Sequence, residues 1–141
     1  MMKIRSLTPV TATDKLSESR DFYTRFLGFK QMFENDWYVQ LRSTGDSPVD
    51  VAFVLPDHET QPPVFKPQFC GNGTIYTVEV EDADAEYKRL SDAGVPIAYD
   101  LHNEPWGERH FAVVDPNGIP INIPQLIEPA KEYLPFFKLS K

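Results

Sequence analysis

The chain has 141 residues and a mass of 16.1 kDa, enough for one compact domain or two small fused halves with a core that needs no covalent staple. Its 14 Lys and Arg against 21 Asp and Glu give a formal charge of −7, which lacks the cation excess of a phosphate-backbone binder. No long apolar run and no signal-peptide core are visible, and Cys70 is the lone cysteine. A cytoplasmic domain is expected, with no membrane or nucleic-acid partner, no internal disulfide and no cysteine-built zinc site.

Two stretches read as one unit written twice. The first opens β-rich over Lys3–Thr13 and passes Asp14 into Ser17–Leu27, where Phe22/Phe26 and Tyr23/Leu27 are i,i+4 pairs of an amphipathic helix. It closes at Gly28, where a helix ends on a residue free to enter the left-handed region. The second opens on the alternating run Thr74–Val80, turns at Glu81-Asp82 with Asp82 as N-cap, continues as a helix over Ala83–Ala93 and closes at Gly94. Gly28 and Gly94 lie 66 residues apart, close to half the chain.

Strands are expected after each helix: Phe29–Phe33, Trp37–Arg42 and Val49–Leu55 in the first half, then Ile97–Tyr99, His110–Val114 and Ile119–Ile123 in the second. The turn Asp115-Pro116-Asn117-Gly118 carries an Asn-Gly hairpin signal. Each half therefore reads βαβββ, an α+β arrangement. Module one spans about 3–55 and module two about 74–127. Between them, about 56–73, four prolines (Pro56, Pro62, Pro63, Pro67) break both periodicities and mark a linker. The tail, 128–141, carries Tyr133, Leu134, Phe136 and Phe137, apolar groups expected to dock on the body or on a partner subunit.

The segments Ser19-Arg20-Asp21-Phe22-Tyr23, Leu27-Gly28-Phe29, Val80-Glu81-Asp82-Ala83-Asp84 and Ala93-Gly94-Val95 resemble the vicinal oxygen chelate superfamily of glyoxalases, extradiol dioxygenases and bleomycin-resistance proteins. Pro105-Trp106-Gly107 followed by Phe111-Ala112-Val113-Val114-Asp115-Pro116-Asn117-Gly118 is similar to its bleomycin-resistance branch. The resemblance implies two βαβββ modules whose curled mixed sheets surround a shared cleft, commonly completed in a homodimer. It also implies that metal-dependent members hold a cation with His and Glu from the first and last strands of the modules. Here those places fall on Leu7 or Thr8, Thr74 or Ile75, Asn122, and the run Val51-Ala52-Phe53-Val54, none of which supplies an imidazole or carboxylate. No metal and no cofactor are therefore expected.

Three histidines remain. His58 in the linker and His102 ahead of the Trp106 loop read as exposed loop residues, and outside the linker no histidine is expected to share a strand face with a neighbouring acid. His110 begins a strand whose Phe111 and Val113 should face the helix, which turns His110 toward the cleft. Trp106, fixed between Pro105 and Gly107 and flanked by Glu104 and Glu108, offers a platform for a planar or cationic compound, or else plugs the core. Trp37 is a second candidate, with core packing the simpler role. The expected ligand contacts are Trp106, Trp37, His110 and Asn122, and the expected partner is a small aromatic or cationic compound bound in a metal-free cleft. The alternative is a metal-dependent lyase, isomerase or dioxygenase with unconventional ligands. The missing donors favour binding over catalysis.

Overall fold

Both halves of the chain fold as βαβββ in a computed structural model that describes residues 1–138. Contacts divide them into two compact units, Met1–Gly71 and Asn72–Lys141.

In the first unit β1 (Val10–Ala12) leads into α1 (Leu16–Phe26), followed by β2 (Lys30–Glu34), β3 (Tyr38–Arg42) and β4 (Asp50–Val54). The sheet order is β1-β4-β3-β2, with β1 parallel to β4 and the other pairs antiparallel. Alternation sends Val39, Leu41 and Phe53 to one buried face. Against it α1 lays Phe22 and Tyr23, the Tyr23 ring meeting Phe53 at 5.4 Å and Phe29 at 5.5 Å. The helix ends where glycine allows: Gly28 sits at φ +74°, so that the amides of Leu27 and Phe29 both donate to the Tyr23 carbonyl. The proline-rich stretch that follows has one 3-10 turn, Pro63–Phe65, and returns to the sheet through the Phe69 amide, which donates to the Ala12 carbonyl at 2.9 Å.

The second unit repeats the plan with β5 (Tyr76–Thr77), α2 (Ala83–Asp92), β6 (Tyr99–Glu104), β7 (Glu108–Val114) and β8 (Pro120–Leu126), in the order β5-β8-β7-β6. The opening strand is shorter than its alternating pattern, two residues in the ladder, although the amides of Val78 and Val80 still donate to the carbonyls of Asn122 and Pro124. Asp82 caps α2 as expected, accepting from the Ala85 amide at 3.0 Å, and Gln125 accepts from the Ala83 amide. Phe111, Val113, Ile121 and Ile123 are buried, and Tyr87 of α2 meets Phe111 edge-on at 5.3 Å. Burying one such ring contributes about 2–3 kcal/mol. The Asp115–Gly118 turn forms as expected, its Asp115 carboxylate accepting from the amides of Asn117 and Ile119.

β1, like β5, is short, taking up only Val10–Ala12 of the opening expected over Lys3–Thr13, and one further strand departs more sharply. The residues after Tyr99 read as loop because Asp, Asn and Glu are poor strand formers. Instead they are β6, paired with β7 across the three-residue turn Pro105-Trp106-Gly107. The ladder supplied by β7 overrides the weak local preference.

The tail docks in part. The Ile127 amide donates to the Gly107 carbonyl at 2.9 Å, the Ala130 amide to Pro105 at 2.8 Å, and Tyr133 meets Trp106 with ring centres 6.2 Å apart. Leu134, Phe136 and Phe137 stay exposed, and 139–141 lie outside the described residues.

Candidate functional site

The site grows from the pleat of the second sheet. Because Phe111, Val113, Ile121 and Ile123 point to α2, the intervening side chains His110, Ala112, Asn122 and Pro124 line the opposite face. The register pairs His102 with His110 and Glu104 with Glu108, and joins Asn122 to Thr77 of β5. An irregularity between Tyr99 and His102 brings the Tyr99 ring into the group, 4.5 Å from His102 and 5.6 Å from His110.

Glu104 is the hub. One of its oxygens, Oε2, accepts from His102 Nε2 at 2.8 Å and from His110 Nε2 at 2.9 Å. Each ring is held at its other nitrogen by a further oxygen. His102 Nδ1 lies 2.6 Å from the Asp100 carbonyl, and His110 Nδ1 lies 2.7 Å from Asn122 Oδ1. The Asn122 amide in turn donates to Thr77 Oγ1 at 3.3 Å. His110 and Glu104 are largely buried, with side-chain exposures of 10% and 15%. A second carboxylate, Glu108, reaches to 4.0 Å from His110 Nδ1 and accepts from the Trp106 indole N–H at 2.9 Å.

These bonds set the electrostatics. The Asp100 carbonyl, and after it the Glu104 carboxylate, raise His102 above the ordinary imidazole range. Hydrogen bonds from His110 and then His102 hold Glu104 below the usual carboxylate range. Loss of solvation, followed by the nearby Glu104 charge, pushes the Tyr99 hydroxyl up.

Three of the four expected contact residues come together here: Trp106, His110 and Asn122. Trp106 does not plug the core; it is 40% exposed at the tip of the β6–β7 hairpin, 6.3 Å from the His110 ring. Trp37 belongs to the first unit, stacked on His58 at 4.7 Å and 18°, so His58 is a ring partner as well as a linker residue. The expectation that no histidine shares a face with a neighbouring acid is corrected by His102 and Glu104, two residues apart on β6. The His-x-Glu spacing was legible, but only to a reading that made the segment a strand. The first unit also has a groove of about 280 Å³ beside Asp14, Asp36 and the Arg20–Glu34 ion pair, but neither imidazole nor aromatic ring lines it.

Residues 7–123 match the family model of the Glyoxalase/Bleomycin resistance protein/Dioxygenase superfamily. The chain belongs to this superfamily. Among solved structures it is similar to TnmS3, an antibiotic binding protein from Streptomyces sp. CB03234, at 25% identity and a TM-score of 0.65 over 89% of this chain and 98% of that one. The fold is shared with the bleomycin resistance determinant encoded on transposon Tn5, at 21% identity and a TM-score of 0.62 over 87% and 98%. An uncharacterized Mycobacterium bovis protein, Mb0911c, is 35% identical over a segment covering 37% of this chain and 41% of that one; the chain thus spans about two-fifths of that curated relative.

The strand-end positions at which the superfamily resemblance places metal ligands do not fit a divalent cation in this member. Leu7 and Ile75 are exposed alkyl groups, their alternates Thr8 and Thr74 bring only a neutral hydroxyl, and Asn122 is an amide engaged with His110 and Thr77. Alkyl groups offer a cation no donor atom, and one amide oxygen already engaged with an imidazole does not replace a hydration shell.

Proposed function

We propose that this superfamily member binds a small aromatic or cationic compound on the face of its second sheet turned away from α2, and releases it unchanged. The observation that carries the reading is the gathering of Trp106 and Tyr99 around His110 and Asn122, with Glu104 and Glu108 beside them. A half-exposed indole and a phenol give a planar ligand two ring faces to stack on. The carboxylates attract a positive charge, and the amide and imidazole supply directional contacts. Binding by stacking needs no metal at the strand-end positions. The Streptomyces protein of this fold is an antibiotic binding protein, which supports a small organic compound as the ligand.

The test is calorimetric titration of a panel of aromatic amines and planar antibiotics, in chelator, against the native chain and Trp106→Ala. A saturable ligand recovered unchanged, with affinity lowered by about 1–3 kcal/mol in Trp106→Ala, is expected. Turnover of the compound, or binding indifferent to Trp106, would overturn the reading.

A further inference from the structure

We propose that His102, Glu104 and His110 form a binding site for one borderline divalent metal ion of the Zn²⁺, Co²⁺ or Fe²⁺ kind, on β6 and β7 rather than at the strand-end positions. The inference goes beyond compound binding and does not depend on it.

The geometry comes first. One ligand atom from each of the three residues lies within 4.8 Å of the others. The Glu104 oxygen stands 2.8 and 2.9 Å from the two Nε2 atoms. Donors bound at about 2.1 Å to one tetrahedral or octahedral ion stand roughly 3.0–3.4 Å apart. The two carboxylate–imidazole edges are therefore within a few tenths of an ångström of coordination spacing.

The second line is the outer shell. Each ring has its Nδ1 against an oxygen acceptor, the Asp100 carbonyl for His102 and the Asn122 side chain for His110. That is the arrangement by which ligating histidines are oriented, with the N–H donated outward and the other nitrogen turned to the ion. With each Nδ1 against an oxygen, both Nε2 atoms converge on the one Glu104 oxygen. A single ion placed among the three atoms satisfies both nitrogens and the carboxylate at once. Glu108, 4.0 Å from His110 Nδ1, adds negative charge nearby.

The donor set chooses the metal. Two imidazoles and one carboxylate suit zinc, cobalt or ferrous iron, whereas Mg²⁺ and Ca²⁺ want oxygen ligands. Three protein ligands leave coordination positions open to water or to an oxygen or nitrogen of a bound compound.

The test uses Co²⁺ and Zn²⁺ alone, added to the chelator-stripped full chain with no organic ligand. Co²⁺ should saturate at one equivalent per chain, with visible absorption bands that Zn²⁺ abolishes and millimolar Mg²⁺ does not. Glu104→Gln and His102→Gln should each weaken binding by at least about 10-fold, and Asn122→Ala, outside the ligand set, by a smaller factor. Far-UV circular dichroism identifies any variant that has lost its fold. Trp106→Ala should keep the full equivalent, which separates metal binding from stacking on the indole. Absence of saturable binding, competition by Mg²⁺, or an equivalent that survives both Glu104→Gln and His102→Gln would overturn the proposal. Failure here leaves compound binding in chelator standing, and the converse also holds.

Discussion

Gly107→Ala should unsettle the loop that presents Trp106. Gly107 sits at φ +107°, a region that residues with a Cβ rarely enter. A Cβ there would lie 3.0 Å from the Ile127 carbonyl oxygen and 3.0 Å from Pro129 Cγ. The backbone conformation alone costs about 1–3 kcal/mol. The contact adds to it, because the obstructing oxygen belongs to the residue whose amide bonds the Gly107 carbonyl. Pushing that strand of tail away weakens the Ile127–Gly107 and Ala130–Pro105 hydrogen bonds, each worth about 1 kcal/mol. The expected loss is roughly 2–4 kcal/mol. Gly45→Ala is the control, since Gly45 also has a positive φ, +124°, but nothing within 4 Å of the added carbon. Urea unfolding followed by Trp106 emission in a Trp37→Phe background measures both. A Gly107→Ala loss under about 0.5 kcal/mol, or no larger than that of Gly45→Ala, would refute the reasoning.

Asp82→Ala removes the side-chain acceptor for the Ala85 amide and should cost about 0.5–2 kcal/mol of stability, read from urea midpoints at unchanged slope. The Asp50 carboxyl, held down first by its hydrogen bond from Arg42, should titrate below its ordinary value of 3.8. Its folded pKa is depressed, so its contribution is present above that ordinary value and fades as pH falls through the folded value. Carboxyl NMR should show the midpoint rising toward 3.8 in Arg42→Leu, and an unmoved midpoint would discount the pair. We further propose a homodimer that covers the exposed Leu134, Phe136 and Phe137; light scattering at micromolar concentration should give twice the 16.1 kDa chain mass, and a monomeric mass would contradict it.

The fold was legible where local signals and tertiary demands agree. Glycine ends both helices, Asp82 begins α2, and alternation in β7 separates Phe111 from His110. At the β6 edge they disagree. Asp100, Asn103 and Glu104 carry weak strand preference, and only the ladder with β7 makes the segment extended. Misreading it as loop hid the His102–Glu104 pair and made two polar residues look like solvated surface. A rigid turn pointed to Trp106, strand parity to His110 and the superfamily resemblance to Asn122, and folding converts them into neighbours. Trp37 was the second aromatic candidate, and its partner, His58, comes from the linker, where no periodicity announces a contact.

The central claim is that the ligand seats on the second sheet's face around Trp106. It is tested most directly by ¹⁵N chemical-shift mapping of the two indole N–H groups and the histidine rings during titration with the tightest compound of the panel, in chelator. The account predicts saturable shifts of Trp106 and His110 with a common midpoint, while Trp37 stays in place. Saturable movement of Trp37 with Trp106 and His110 unmoved would contradict it.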